Sequence, residues 1–196
     1  MTVQLVLATH NAHKVDELRR ILGDQLDGIE LIGYDGPEPV EDGDTFEANA
    51  LIKARAAALH TGLAAIADDS GISVAALGGA PGIHSARYAG NRDDRENLEL
   101  LLTNLAGVDD RAATFSCAAA LVVGDLEQVE LGVWPGTVLR EAAGAGGFGY
   151  DPIFKPEGLS VSAAELRADE KNAISHRARA FTQIMPFVRE ALLGAS

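Results

Sequence analysis

Hydrophobic residues change their spacing several times along the chain. Val3 to Ala8 is a mostly apolar run that reads as a buried strand. From Asn11 the apolar positions become Val15, Leu18, Ile21 and Leu22, the three-and-four spacing of one helix face, closed by Gly23. Ile29 to Ile32 reads as a short strand, and Gly33 to Asp44, with its glycines and prolines, as a loop. Thr45 is placed to cap a second helix through Ala48, Leu51, Ile52, Arg55, Ala56 and Leu59, with Glu47 at its positive end. Ala64 to Ala67 then reads as a strand that delivers Asp68 and Asp69 at its carboxyl end.

Further along, Asp93 to Glu96 resembles a capping box, with a leucine stripe at 98, 101, 102 and 105 behind it. Ala112 to Val123 and Val129 to Leu139, separated by Gly124 to Glu127, suggest an antiparallel hairpin. Ser162 with Glu165 is a second possible capping box. The last helix is expected from near Ser175 to about Leu193, kinked at Pro186 because a mid-helix proline loses a hydrogen bond. Strands alternating with helices, followed by a hairpin, imply an α/β fold with a mixed sheet.

Composition narrows the class. With 47% hydrophobic and 23% charged residues in 196, the chain is globular and suits one domain, with room for two lobes. Acids outnumber cations 29 to 16, a net charge of −13, which argues against coating nucleic acid but leaves a small anionic ligand open if the few cations converge. Cys117 is the only cysteine, so neither an internal disulfide nor a paired-cysteine metal site is expected, and a reducing compartment fits. The first residues lack a leader pattern and no run of 18 apolar residues exists; no membrane partner is expected and the cytoplasm is the default location.

Three regions could carry chemistry. Thr9 to Lys14 lies where the first strand gives way to the first helix, a place of free backbone amides suited to phosphates; read plainly, it is an Asn cap beside a solvated lysine. Asp68-Asp69-Ser70-Gly71 puts two carboxylates together, which calls for a compensating cation such as magnesium, with a second ligand from Glu41 or Asp42; the plain alternative is an ordinary turn. Gly144 to Pro152 mixes glycines with Phe148 and Tyr150, as a loop that lies close to a flat base would, or as a hairpin turn. Asp35 to Glu47 holds six acids and no cation, whereas Lys171 onward holds four cations and one acid, a division that suits a metal-nucleotide site.

The stretches LATHNAHKVDEL, TFEANALIKARAAA, AIADDSGISVAALGGAPGIHSARYAG, GGFGYDPIF and EKNAISHRARA, in this order from Leu7 to Ala180, closely resemble the inosine triphosphate pyrophosphatase family. The resemblance implies an α/β fold whose long mixed β-sheet and flanking helices form two lobes around a central cleft, usually as a homodimer. It also implies magnesium-dependent cleavage of non-canonical purine nucleoside triphosphates between the α- and β-phosphates, giving a monophosphate and pyrophosphate. By motif, Thr9, Asn11, Lys14 and Lys53 would bind phosphates; Glu41 and Asp69 would serve Mg2+, with Asp69 also the base for the attacking water. Ser70 would touch substrate, Phe148, Gly149, Tyr150 and Asp151 would line base and sugar, and Lys171, His176 and Arg177 would close on the purine. His10 and Glu47 receive no role.

Rival readings fare worse. A nucleotide sensor on the same fold would not need Lys14, Lys53 and Asp69 together. A haloacid-dehalogenase-type phosphatase needs two aspartates flanking one residue after the first strand, which here ends in Thr9, and a Nudix hydrolase needs a glutamate-rich helix that is absent.

Overall fold

The first strand and helix form as the spacing requires: β1 is Val3–Leu7 and α1 is Ala12–Leu22. They belong to a computed structural model that describes residues 2–10 and 12–194, without the side chains of residues 12 and 13. β2 (Ile29–Gly33) runs parallel to β1, with Leu7 opposite Gly33. α2 (Phe46–Thr61) starts at Thr45, whose Oγ1 accepts from the Ala48 amide at 3.1 Å, and ends on Gly62 in the left-handed conformation that glycine tolerates. Its buried side is small: Ala50, Ala54 and Ala57 lie against the sheet, and that lets the helix approach closely.

The strand beginning at Ala64 does not end at the aspartates. β3 is Ala64–Val74, so Asp68, Asp69, Ser70 and Gly71 lie within it and not in a turn. β1 pairs with β3 only from Ala64 to Ile66; beyond that β3 has outrun β1, which leaves the aspartates past the carboxyl end of their parallel neighbour. Long-range pairing thus overrides local turn preference.

α3 (Asp94–Asn104) is capped by Asp93, which accepts from the Glu96 amide at 3.0 Å; the Glu96 carboxylate is taken by Asn91, so half of the expected box forms. β4 (Ala112–Val123) and β5 (Leu126–Val138) are neighbours joined by two residues and therefore antiparallel. β5 starts three residues earlier than its sequence suggests. Two short elements were not legible: β6 (Phe154–Pro156), antiparallel to β5, and α4 (Ala168–Ile174). Glu165 does reach back to the Ser162 amide, at 2.7 Å, but closes only a turn. α5 (His176–Leu193) continues through Pro186, which stands on its exposed side.

The six strands are ordered β2-β1-β3-β4-β5-β6 in one mixed sheet. The chain divides into two compact units, Met1–Asp69 with Cys117–Gly132 and Arg177–Ser196, and Ser70–Ser116 with Val133–His176. Each has its own core: Leu5, Leu18, Ile66, Leu121, Phe181 and Ile184 in the first, and Ile72, Leu101, Leu105, Trp134, Ile153 and Phe154 in the second.

Candidate active site

Successive side chains on a strand point to opposite faces. Ile66 and Ala67 therefore pack into different clusters, the first with α1 and α5, the second with α2. Asp68 and Asp69 continue that alternation. Asp68 meets Arg177 of α5, whose Nη2 lies at 3.2 Å, and Lys14 of α1 at 3.5 Å. Asp69 meets α2: Lys53 Nζ donates to it at 2.9 Å and Asn49 Nδ2 at 3.4 Å. Adjacent in sequence, the two carboxylates have separate partners.

Their acidities are driven apart. Burial would raise Asp68, but Lys14, Arg177 and Lys53 outweigh it and hold its carboxyl well below the usual carboxylate range. Asp69 is pushed up, by burial first, and Lys53 only partly offsets this. Burial works against the charge on Lys53 as well, yet Asp69, Asp68 and Glu41 together hold its ammonium above its ordinary value. A pair split in this way contains one permanent anion and one group suited to take a proton.

Glu41 comes from the loop between β2 and α2 and lies 3.5 Å from Lys53 Nζ, whereas Asp42 is exposed. Asn49 steadies that loop by accepting from the Gly43 amide at 2.9 Å. Glu41 and Asp69 thus converge on one cation. Among the described residues no group of three or more His, Cys, Asp or Glu gathers to hold a metal. Two hard carboxylates nevertheless suit magnesium, which takes one or two of them and completes its shell with water and phosphate oxygens.

The second unit contains a different kind of centre. Lys171 donates to Asp151, both nearly inaccessible, and the ammonium lies 4.9 Å from the centre of the Phe148 ring. Asp151 also accepts from the Phe148 amide at 2.9 Å. Gly147 has a φ of +71°, and a Cβ there would overlap the Asp151 carboxylate, so only glycine fits. Tyr150 donates to the Ser85 carbonyl at 2.7 Å and the Gly149 amide to Asp94 at 2.9 Å. His176 stacks on Phe115 with centroids 4.7 Å apart, and Trp134 flanks it at 6.2 Å. Phe148 itself is 50% exposed.

Of the residues singled out from sequence, Lys14, Lys53, Glu41, Asp69 and Arg177 fall in the first unit with Thr9, and Ser70, Phe148 to Asp151, Lys171 and His176 in the second. Asn11 lies outside the described residues. Arg177 was expected on the purine; here its guanidinium is buried on Asp68 and approaches Glu17 at 3.5 Å. Sequence reasoning paired Asp68 with Asp69 as carboxylates in need of a cation but gave it no role of its own, and gave none to Asn49 or Glu17. The last two had a signal: Asn49 is four residues before Lys53 and Glu17 three after Lys14, so each shares a helix face with a residue already chosen.

Comparison with known proteins bears on this geometry. The model of the Ham1 family matches residues 5–187. The chain belongs to the Ham1 family. Similar to this Ham1 chain is a dITP/XTP pyrophosphatase of Leifsonia xyli, 60% identical over 192 residues, covering 95% of this chain and 96% of the relative. The structure of a HAM1 protein from Coxiella burnetii superposes with a TM-score of 0.88 at 44% identity, covering 97% of this chain and all of that one (100%). A nucleoside-triphosphatase / dITP/XTP pyrophosphatase from Mycobacterium abscessus gives a TM-score of 0.77 at 45% identity, covering 94% and 100%. The mixed α/β fold of the Ham1 family is the one seen here. Among the described residues no helix is long and apolar enough to cross a membrane.

Proposed function

We propose that this Ham1-family chain hydrolyses non-canonical purine nucleoside triphosphates, those of inosine and xanthosine and their deoxy forms, to the monophosphate and pyrophosphate. The observation that carries the reading is the split pair on β3, Asp68 held ionised and Asp69 raised beside Lys53. Relatives named dITP/XTP pyrophosphatases supply the substrate class.

In this reading a water attacks the α-phosphorus and gives its proton to the Asp69 carboxylate; the bond from that phosphorus to the bridging oxygen breaks, and pyrophosphate leaves with the electron pair. Asp69 has the position and the raised basicity for this. Lys53 orients it and, with Lys14, Thr9 and Asn11, takes the phosphate charge. Ser70, next on β3, also contacts substrate. Asp68 keeps Lys14 in place, and the role assigned to Arg177 is to hold that carboxylate ionised. Glu41 and Asp69 would hold Mg2+, which when bound neutralises charge on the phosphates.

The purine is assigned to Phe148, Gly149, Tyr150 and Asp151 with Lys171 and His176. The half-exposed Phe148 ring offers a stacking face, and Lys171 a donor that Asp151 holds still. A 6-oxo group accepts from such a donor; a 6-amino group leaves it unpaired, at about 1–3 kcal/mol, or roughly 5- to 150-fold.

The homodimer and the cytoplasmic setting belong to the same proposal. Trp134 is buried and offers no surface for a partner; Pro135 lines an open groove with Ser73, Thr114 and Thr137. Light scattering should give twice the chain mass. Activity is tested by incubating the chain with dITP, XTP, dATP and dGTP, with and without magnesium, and measuring pyrophosphate and orthophosphate separately. Pyrophosphate from the first two alone is expected. Orthophosphate as the product, or binding without turnover, would favour a phosphatase or a sensor instead.

A further inference from the structure

His10 has no part in the chemistry above, yet its ring is held on both sides. It sits in the turn between β1 and α1, one residue after Thr9 and four before Lys14. Its Nε2 lies 2.7 Å from the Gly36 carbonyl and its Nδ1 3.1 Å from Glu38 Oε1. A carbonyl only accepts, so Nε2 is the donor in the shorter contact. The Tyr34 ring packs on the His10 ring at 5.5 Å, and His60 of α2 packs edge-on against Tyr34 at 5.7 Å.

Gly36 and Glu38 belong to the acidic loop that carries Glu41. That loop has no helix or strand of its own between Tyr34 and Asp44. It is tied at its start by Tyr34, whose hydroxyl donates to the Pro37 carbonyl at 3.0 Å, and at its end by Asn49 on Gly43. The loop is seated closely at Gly36, where a Cβ would overlap the Tyr34 hydroxyl and the His60 ring. β1 and β2 are parallel neighbours, so the turn and the loop leave the same end of the sheet.

We propose that His10 is a positioning residue: it ties the phosphate-binding turn to the loop that carries the metal-binding Glu41, so that the two halves of the triphosphate site are held in register. This deepens the function proposed above and rests on it for the meaning of the two loops. An exposed ion pair alone would be too weak for this. The short bond to a backbone carbonyl and the seat on Tyr34 make it a directional contact.

The test reads hydrogen exchange of residues 34–44 in the full chain without substrate, for the wild type, His10→Ala, Glu38→Gln and the double variant, alongside KM and kcat for dITP. In His10→Ala the loop should exchange about 3- to 10-fold faster and KM rise by a similar factor with kcat within about twofold; Glu38→Gln should do less, and the double variant should be little worse than His10→Ala. His10→Gln, whose amide can donate to the Gly36 carbonyl, should recover part of the protection, and Gly36→Ala should lose it by displacing the loop. Unchanged exchange in His10→Ala, or a substantial Glu38→Gln effect that adds in full to that of His10→Ala in the double variant, would overturn the proposal. Loop protection is read without turnover, so its outcome decides the tie whether or not dITP is hydrolysed.

Discussion

The two charged centres differ in how their ions are shared. In the first unit Asp68 is served by both Lys14 and Arg177, and Lys53 by both Asp69 and Glu41. In the second, Lys171 and Asp151 form one closed pair beneath Phe148. Lys14 is 30% exposed, whereas Lys171 is 10% exposed. A shared network can exchange a carboxylate for a phosphate oxygen without stranding a buried charge; a closed pair cannot, because removing one partner leaves the other uncompensated. In the function proposed above, the first centre would change partners during the reaction, and the second would stay fixed while the base is recognised against it.

The sharpest way to break that comparison is at Asp69. Asp69→Asn should lower kcat by about 10²- to 10⁴-fold, the range for losing a positioned base, with the melting temperature little changed. Near-wild-type turnover would remove Asp69 from the chemistry. Next comes a matched pair of lysine variants. Lys171→Met leaves the Asp151 carboxylate buried and unpaired and should cost about 3–5 kcal/mol in urea unfolding, whereas Lys14→Met, with Arg177 still on Asp68, should cost less than about 1 kcal/mol and act mainly on KM. Equal losses of stability would erase the distinction between the centres.

A smaller effect should appear on the acid side. Asp68 is held below its unfolded value, so its stabilisation is complete above the ordinary carboxylate pKa of about 4 and is lost only as pH falls through the lower folded value. The stability gap between wild type and Asp68→Asn should thus be flat from neutral pH down to about 5 and close only below about 4. A gap that closes between pH 7 and 5 would contradict the assignment of Asp68 as a permanent anion. The smallest effect concerns Cys117, buried among Leu5, Ile66 and Ala119 and raised by that burial and by nearby Asp68. A disulfide reagent should leave it unlabelled in the native chain and label it on unfolding; fast native labelling would show that the first core opens readily.

What the sequence revealed follows the range of the forces involved. α1 and α2 were legible because a three-and-four period and a threonine cap are local signals, and Lys53 was legible because it lies on such a helix. The strand from Ala64 reads as ending at Ala67, because the turn-like composition of Asp68 to Gly71 is local while the rest of β3 is held by strands elsewhere in the chain. β6 and α4, three and seven residues long, are too short to show a period. The partner of Arg177 is 109 positions away, and no spacing along the chain announces it. The glycines around Phe148 were visible as a loop, but the reason for Gly147, the room taken by the Asp151 carboxylate, appears only in three dimensions.

Every role proposed for the first centre depends on water attacking the α-phosphorus. Hydrolysis of dITP in water enriched in oxygen-18, with mass analysis of both products after a single turnover, tests it directly. The label is expected in the deoxyinosine monophosphate and not in the pyrophosphate; label in the pyrophosphate would mean attack at the β-phosphorus and would rule this mechanism out.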